Sequence, residues 1–140
     1  MNKEVNLHEG LIYIMVTMSA VDSSMDDAEL ERIGRLVRFL PVFEQFDEDD
    51  ILSTARRCST LLSEPDGLSL VLDIIKDSIP ERLHDTAYSI AVEIASADHE
   101  IRNEEIRMLQ LLRDRFDLDK LTCAAIERSA IARYKRARNR

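Results

Sequence analysis

Apolar positions recur every three or four residues along almost the whole chain, a spacing that gathers them on one helical face and predicts seven helices in 140 residues. The first, about 7–21, sets Leu7, Leu11, Ile14 and Met18 on one stripe. Tyr13 and Met15 widen that stripe until the segment is apolar nearly all round, which predicts a central, buried helix. The second, about 27–39, carries Leu30, Ile33, Val37 and Leu40; Pro41 stops it, because the ring removes a donor and restricts the preceding residue. PVFEQF then reads as a short apolar linker. The third, about 48–62, starts behind Asp47 with Asp49 and Asp50 where the helix dipole favours anions, and presents Ile51, Leu52, Ala55, Cys58 and Leu62. The fourth, about 66–78, follows Ser63 and Pro65 and presents Leu68, Val71, Leu72 and Ile75.

Pro80 opens the fifth, about 81–97, with Leu83, Ala87, Ile90, Ala91 and Ile94. The sixth, about 103–115, offers Ile106, Leu109, Leu112 and Phe116, and the seventh, about 118–135, Leu121, Ala125, Ile126 and Ala130. Short connections predict an all-α fold, a compact bundle over 7–135 followed by a basic tail at 136–140. Only three Gly and three Pro interrupt it, and Leu, Ile, Ala, Val and Met dominate the apolar set, which agrees with helix rather than sheet.

One pattern is written twice. Residues 19–33, SAVDSSMDDAELERI, return 76 positions later as residues 95–109, ASADHEIRNEEIRML. In each, an apolar helix ends on small residues and an Asp, and a Glu follows seven residues after that Asp. Helices one and two thus correspond to helices five and six, which predicts a pseudo-two-fold repeat of helix pairs. Asp26 and Glu29 have the spacing of a capping box, and Glu104 and Glu105 lie where a helix start welcomes anions. Asp22 and Asp98 fall instead at helix C-terminal ends, where outward carbonyls disfavour a negative side chain. Carboxylates and carbonyls converging on one turn form the oxygen donor set that hard cations such as Ca²⁺ prefer. The turn is not an EF-hand: counting from Asp22, Asp27 stands where Gly is needed and Ile33 where the bidentate Glu belongs, and from Asp98 those positions hold Asn103 and Leu109.

The motifs AVDSSMDDAEL and SADHEIRNEEI resemble the TerB-like family associated with tellurite resistance, over about residues 7–130. The resemblance implies an all-helical fold, acidic clusters that bind a divalent metal, and a cytoplasmic role in stress response, at the inner membrane surface or in multiprotein assemblies. Its implied metal ligands are Asp22, Glu29, Asp98 and Glu105, with Asp26, Asp27, His99, Glu100 and Glu104 as neighbours. Where the family often has Gly after the Asp, this chain has Ser23 and His99, and His99 adds an imidazole suited to a transition metal.

Charge narrows the partners. Residues 128–140 hold six of the 19 basic residues and none of the 27 acidic ones, leaving −14 on residues 1–127. A body this acidic repels phosphate backbones, so nucleic acid is not an expected partner. The basic end, with Arg133, Lys135, Arg136, Arg138 and Arg140, suits an acidic protein or an anionic membrane surface, and a metal-free scaffold acting through that tail or an apolar groove is the alternative function. No GxSxG, HExxH or Gly-rich phosphate loop occurs, so an enzyme is not expected. The longest apolar run, LIYIMVTMSAV, is far short of the roughly 20 residues that span a bilayer, and the start MNKEVNLHEG lacks a secretory signal's basic region, so a cytoplasmic protein is expected. Cys58 and Cys123 stand alone, without CxxC spacing, and read as core thiols.

Overall fold

From Glu9 to Ser19 no residue of the first helix, α1 (Leu7–Ser19), reaches solvent appreciably. The computed structural model describes residues 4–19, 26–97 and 101–138, and within them the other α-helices are α2 (Asp27–Phe39), α3 (Ile51–Leu62), α4 (Gly67–Ser78), α5 (His84–Ser96), α6 (Asn103–Phe116) and α7 (Lys120–Arg133). No strand occurs among the described residues. α1 packs on α3, α4 and α5 and touches α2, while α5 carries α6 and α7 on its other sides. The all-round apolar sequence of α1 is therefore matched by neighbours on every side. Each of its fully buried Leu, Ile, Met and Val side chains contributes roughly 1.5–3 kcal/mol relative to an exposed one.

Two of the predicted helices begin in a tighter form. Glu48–Asp50 is a 3₁₀ turn whose preceding Asp47 accepts a hydrogen bond from the Asp49 amide at 2.9 Å, and α3 follows at Ile51. Glu81–Leu83 is likewise 3₁₀ before α5. PVFEQF contains a third such turn, Pro41–Phe43, and buries Phe43. His8 stands between Phe43 and Phe46, with ring centroids 5.9 and 5.5 Å away, and its Nε2 lies 2.8 Å from the Val42 carbonyl; the linker is thereby tied to α1. Gly10 lets the end of α4 lie on α1, since a Cβ there would collide with the Ser78 hydroxyl.

The repeat finds α1 against α5, with α2 and α6 following each. The surroundings of the pairs differ, however: α6 packs on α4 as well as α5, whereas α2 has the two turns at 41–43 and 48–50 as its neighbours besides α1. The packing does not establish a two-fold relation. Five expected core residues are exposed, namely Leu52, Leu68, Ile106, Leu121 and Ala125. In three of these helices the inward place goes to a neighbour on the same turn or the next: Thr54 in α3, Glu105 and Met108 in α6, and Cys123 in α7.

Candidate functional site

Two helices start with a complete capping box and a third with half of one. At α2, Asp26 is the N-cap in extended backbone; its Oδ1 accepts from the Glu29 amide at 2.9 Å, and Glu29 Oε1 accepts from the Asp26 amide at 3.2 Å. This is the capping box that the spacing predicts. At α6 the Glu105 carboxylate accepts from the Arg102 amide at 2.9 Å, but Arg102 has no acceptor to return, so half of the box is made. At α1, unforeseen from the sequence, Asn6 and Glu9 form the full reciprocal pair, at 2.9 Å and 3.0 Å. Glu9 does more: its second oxygen, Oε2, receives the Arg57 guanidinium of α3 at 2.5 Å.

Glu105 is buried and Glu29 half-buried. The Glu29 carboxyl is held above its ordinary pKa, chiefly by burial; the Asp26 amide opposes this and the Asp26 carboxylate adds to it. Asp26, Asp27 and Glu104 are exposed. Asp22, Asp98, His99 and Glu100 lie outside the described residues. Among the described residues no three His, Cys, Asp or Glu side chains gather in a cluster fit to hold a metal.

The end of α1 and the start of α6 border one cleft. This cleft, of about 560 Å³, is bordered by Thr17 in the last turn of α1, by Asn103 and Glu104 in the first turn of α6, and by Leu62 and Leu68 around the α3–α4 connection. The end of α1, which leads into the first acidic turn, thus faces the helix that follows the second.

At the basic end, Arg133 has an internal partner. It pairs with Glu93 of α5 and donates to Ser129 Oγ at 3.0 Å, while the Tyr134 hydroxyl also donates to Glu93. This pair ties α7 to α5. Lys135, Arg136 and Arg138 are exposed, and Arg140 lies outside the described residues. Of the remaining histidines, His84 donates to the Ile79 carbonyl, 3.0 Å away, and stacks on Phe116 with centroids 4.4 Å apart. Cys58 and Cys123 are buried and free, and burial pushes the Cys58 thiol up to about 12. Both are core thiols, as their isolation in the sequence suggested.

Sequence reasoning missed Glu9, Arg57 and Tyr13 as a group. A lone carboxylate within a nearly all-apolar helix was the available signal, since a buried charge needs a partner.

Seven α-helices among the described residues, packed as a bundle without strands, define the class. The chain belongs to the family described as tellurite resistance protein TerB, which matches residues 8–128. No curated protein and no solved structure matches it. No helix among the described residues is long and apolar enough to cross a membrane.

Proposed function

We propose that this TerB-family chain is a non-enzymatic module that binds a divalent cation such as Ca²⁺ through Asp22, Glu29, Asp98 and Glu105. In this reading it presents a metal-dependent surface to a protein partner in tellurite or related stress response, in the cytoplasm or at the inner membrane face. The observation that carries the reading is Glu9: a third-position glutamate caps its helix with one oxygen and holds a cation, Arg57, with the other. Capping by Glu29 and Glu105 therefore does not exclude a second role, since a carboxylate has about four acceptor sites on two oxygens. The cleft joining the end of α1 to the start of α6 supports a shared location for the two turns. The donor set is all oxygen, which fits Ca²⁺ or Mg²⁺; His99 would extend it to a transition metal. A bound cation would neutralise the acids and fix the angle within each helix pair.

The complete caps at α2 and α1 favour a second reading, in which the acids only start helices and the exposed basic residues 135–138 recruit an acidic partner or anionic membrane. One experiment separates the two. Thermal unfolding of the metal-stripped protein is followed at fixed ionic strength with millimolar Ca²⁺, Mg²⁺, Mn²⁺ or Zn²⁺. At a hundred times its dissociation constant a cation adds about 2.7 kcal/mol, a shift of several degrees. A selective rise that disappears in Asp22→Asn or Asp98→Asn is the expected result; no shift with any ion leaves the scaffold reading.

A further inference from the structure

A second, larger cleft is lined by other residues, and its chemistry is different. It has a volume of about 900 Å³ and opens between α3, α4 and the segment leading into α1, within the size range of small-molecule sites. Leu61, Leu70 and Ile74 give it an apolar wall, and Leu70 is 43 % exposed there with nothing to cover it. Arg56 and Arg57 project from α3 on the same cleft, in a body that is otherwise strongly acidic.

Two features mark a prepared recognition point. Glu9, itself buried and fixed by its cap at Asn6, holds Arg57 through Nη2 at 2.5 Å; Thr54 Oγ1 lies 3.4 Å from the same nitrogen. The guanidinium is thus oriented while its Nε and Nη1 donors remain for an acceptor. Tyr13 borders the cleft and is 1 % exposed, yet its hydroxyl makes no hydrogen bond among the described residues. It lies within electrostatic reach of Arg57 and Glu9. The hydroxyl is thus free to donate to an acceptor bound in the cleft. Arg56 forms no ion pair among the described residues and adds a second cation.

Glu4 and Asp77 also border the cleft and are exposed. They repel a doubly charged head, so the best-matched anion carries one charge and is followed by an apolar chain. We propose that this cleft binds a medium-chain fatty carboxylate, its head on Arg57, Arg56 and the Tyr13 hydroxyl and its chain along Leu61, Leu70 and Ile74. The site is independent of the metal reading and uses none of its residues.

The test is titration calorimetry of the full chain with decanoate below its micellar concentration, beside decanol, which lacks the charge, and butyrate, which lacks the chain. Decanoate is expected to saturate one site, with decanol and butyrate each at least about tenfold weaker, the loss of one charge-assisted contact or of most apolar burial. Tyr13→Phe and Arg56→Gln should each weaken decanoate by about three- to tenfold while leaving the unfolding midpoint in place. Arg57→Leu is a poor probe, because it also removes the ion pair of the buried Glu9. No saturable binding overturns the proposal. So does equal affinity for decanol and decanoate, or an affinity that neither variant changes.

Discussion

Glu29 shows how one carboxylate answers to two demands. Burial and the adjacent Asp26 carboxylate outweigh the Asp26 amide, so the folded chain holds the Glu29 proton more tightly than the unfolded chain does. The folded state then binds more protons around that pKa, and by linkage stability falls as rising pH ionises Glu29. Glutamine keeps the acceptor for the Asp26 amide and has no charge to desolvate. In metal-free protein at pH 7, Glu29→Gln is therefore expected to leave urea stability unchanged or raised. Asp26→Ala removes the acceptor for the Glu29 amide and should cost about 1 kcal/mol. A clear loss in Glu29→Gln would mean that its charge is already compensated in the folded chain. The same sign carries into metal binding: a cation must displace the proton, so stabilisation by Ca²⁺ should shrink as pH falls through the raised pKa of Glu29. Of these groups, Asp26 and Glu29 were legible as a cap from their spacing alone. Glu105 was legible only as an anion at a helix start, because Arg102, three residues earlier, is no capping residue.

At the scale of elements, α7 departs most from its sequence pattern, and its attachment explains why. Its expected core residue Leu121 is 79 % exposed, and only Cys123 and Ala130 are buried. Beside that small apolar contact, polar groups hold α7: Glu127 Oε2 accepts from the buried Tyr88 of α5 at 2.5 Å and from Arg113 of α6 at 2.9 Å, and Glu93 of α5 takes Arg133 and Tyr134. Apolar periodicity does not register contacts made by charged residues some 40 positions apart, which is why the phase of α7 was misread. In α3, α4 and α6 the errors are smaller. Leu52 follows the buried Ile51, Leu68 the buried Gly67 and Ile106 the buried Glu105, so a change of phase by one residue exposes each while the helix itself stays where the spacing puts it. The Glu127 contacts lead to an asymmetric prediction. Tyr88→Phe removes the buried hydroxyl and leaves Glu127 with Arg113, and should cost about 1 kcal/mol; Glu127→Ala strands both partners and should cost about 1–3 kcal/mol. Urea midpoints of the two variants check it, and an equal or reversed order would mean that Arg113 rather than Tyr88 is the important partner.

For the molecule as a whole, the all-round apolar character of α1 was the most informative line in the sequence, because it requires neighbours on every side. α1 meets α2, α3, α4 and α5, so no subset of these helices can open without uncovering it. Cys58 reports on that seam: it is fully buried in α3, its Sγ 3.7 Å from Thr17 Oγ1 and 3.8 Å from the Tyr13 carbonyl, both on α1. The native thiol is doubly protected, by burial and by a pKa pushed up to about 12. Labelling it requires α1 and α3 to separate, and if α1 is the keystone that separation is global unfolding. In a Cys123→Ser variant, labelling of Cys58 at pH 8 should thus be slowed by the full unfolding constant, at least about a thousandfold for a domain stable by about 5 kcal/mol or more. The free energy from labelling should equal that from urea unfolding. Cys123, on the polar-held α7, should label through a smaller opening in the reciprocal Cys58→Ala variant. Should Cys58 label at a free energy well below the global value, the α3–α4 hairpin would be a separate unit able to lift from α1, and the cleft it shares with Tyr13 and Arg57 would open with it.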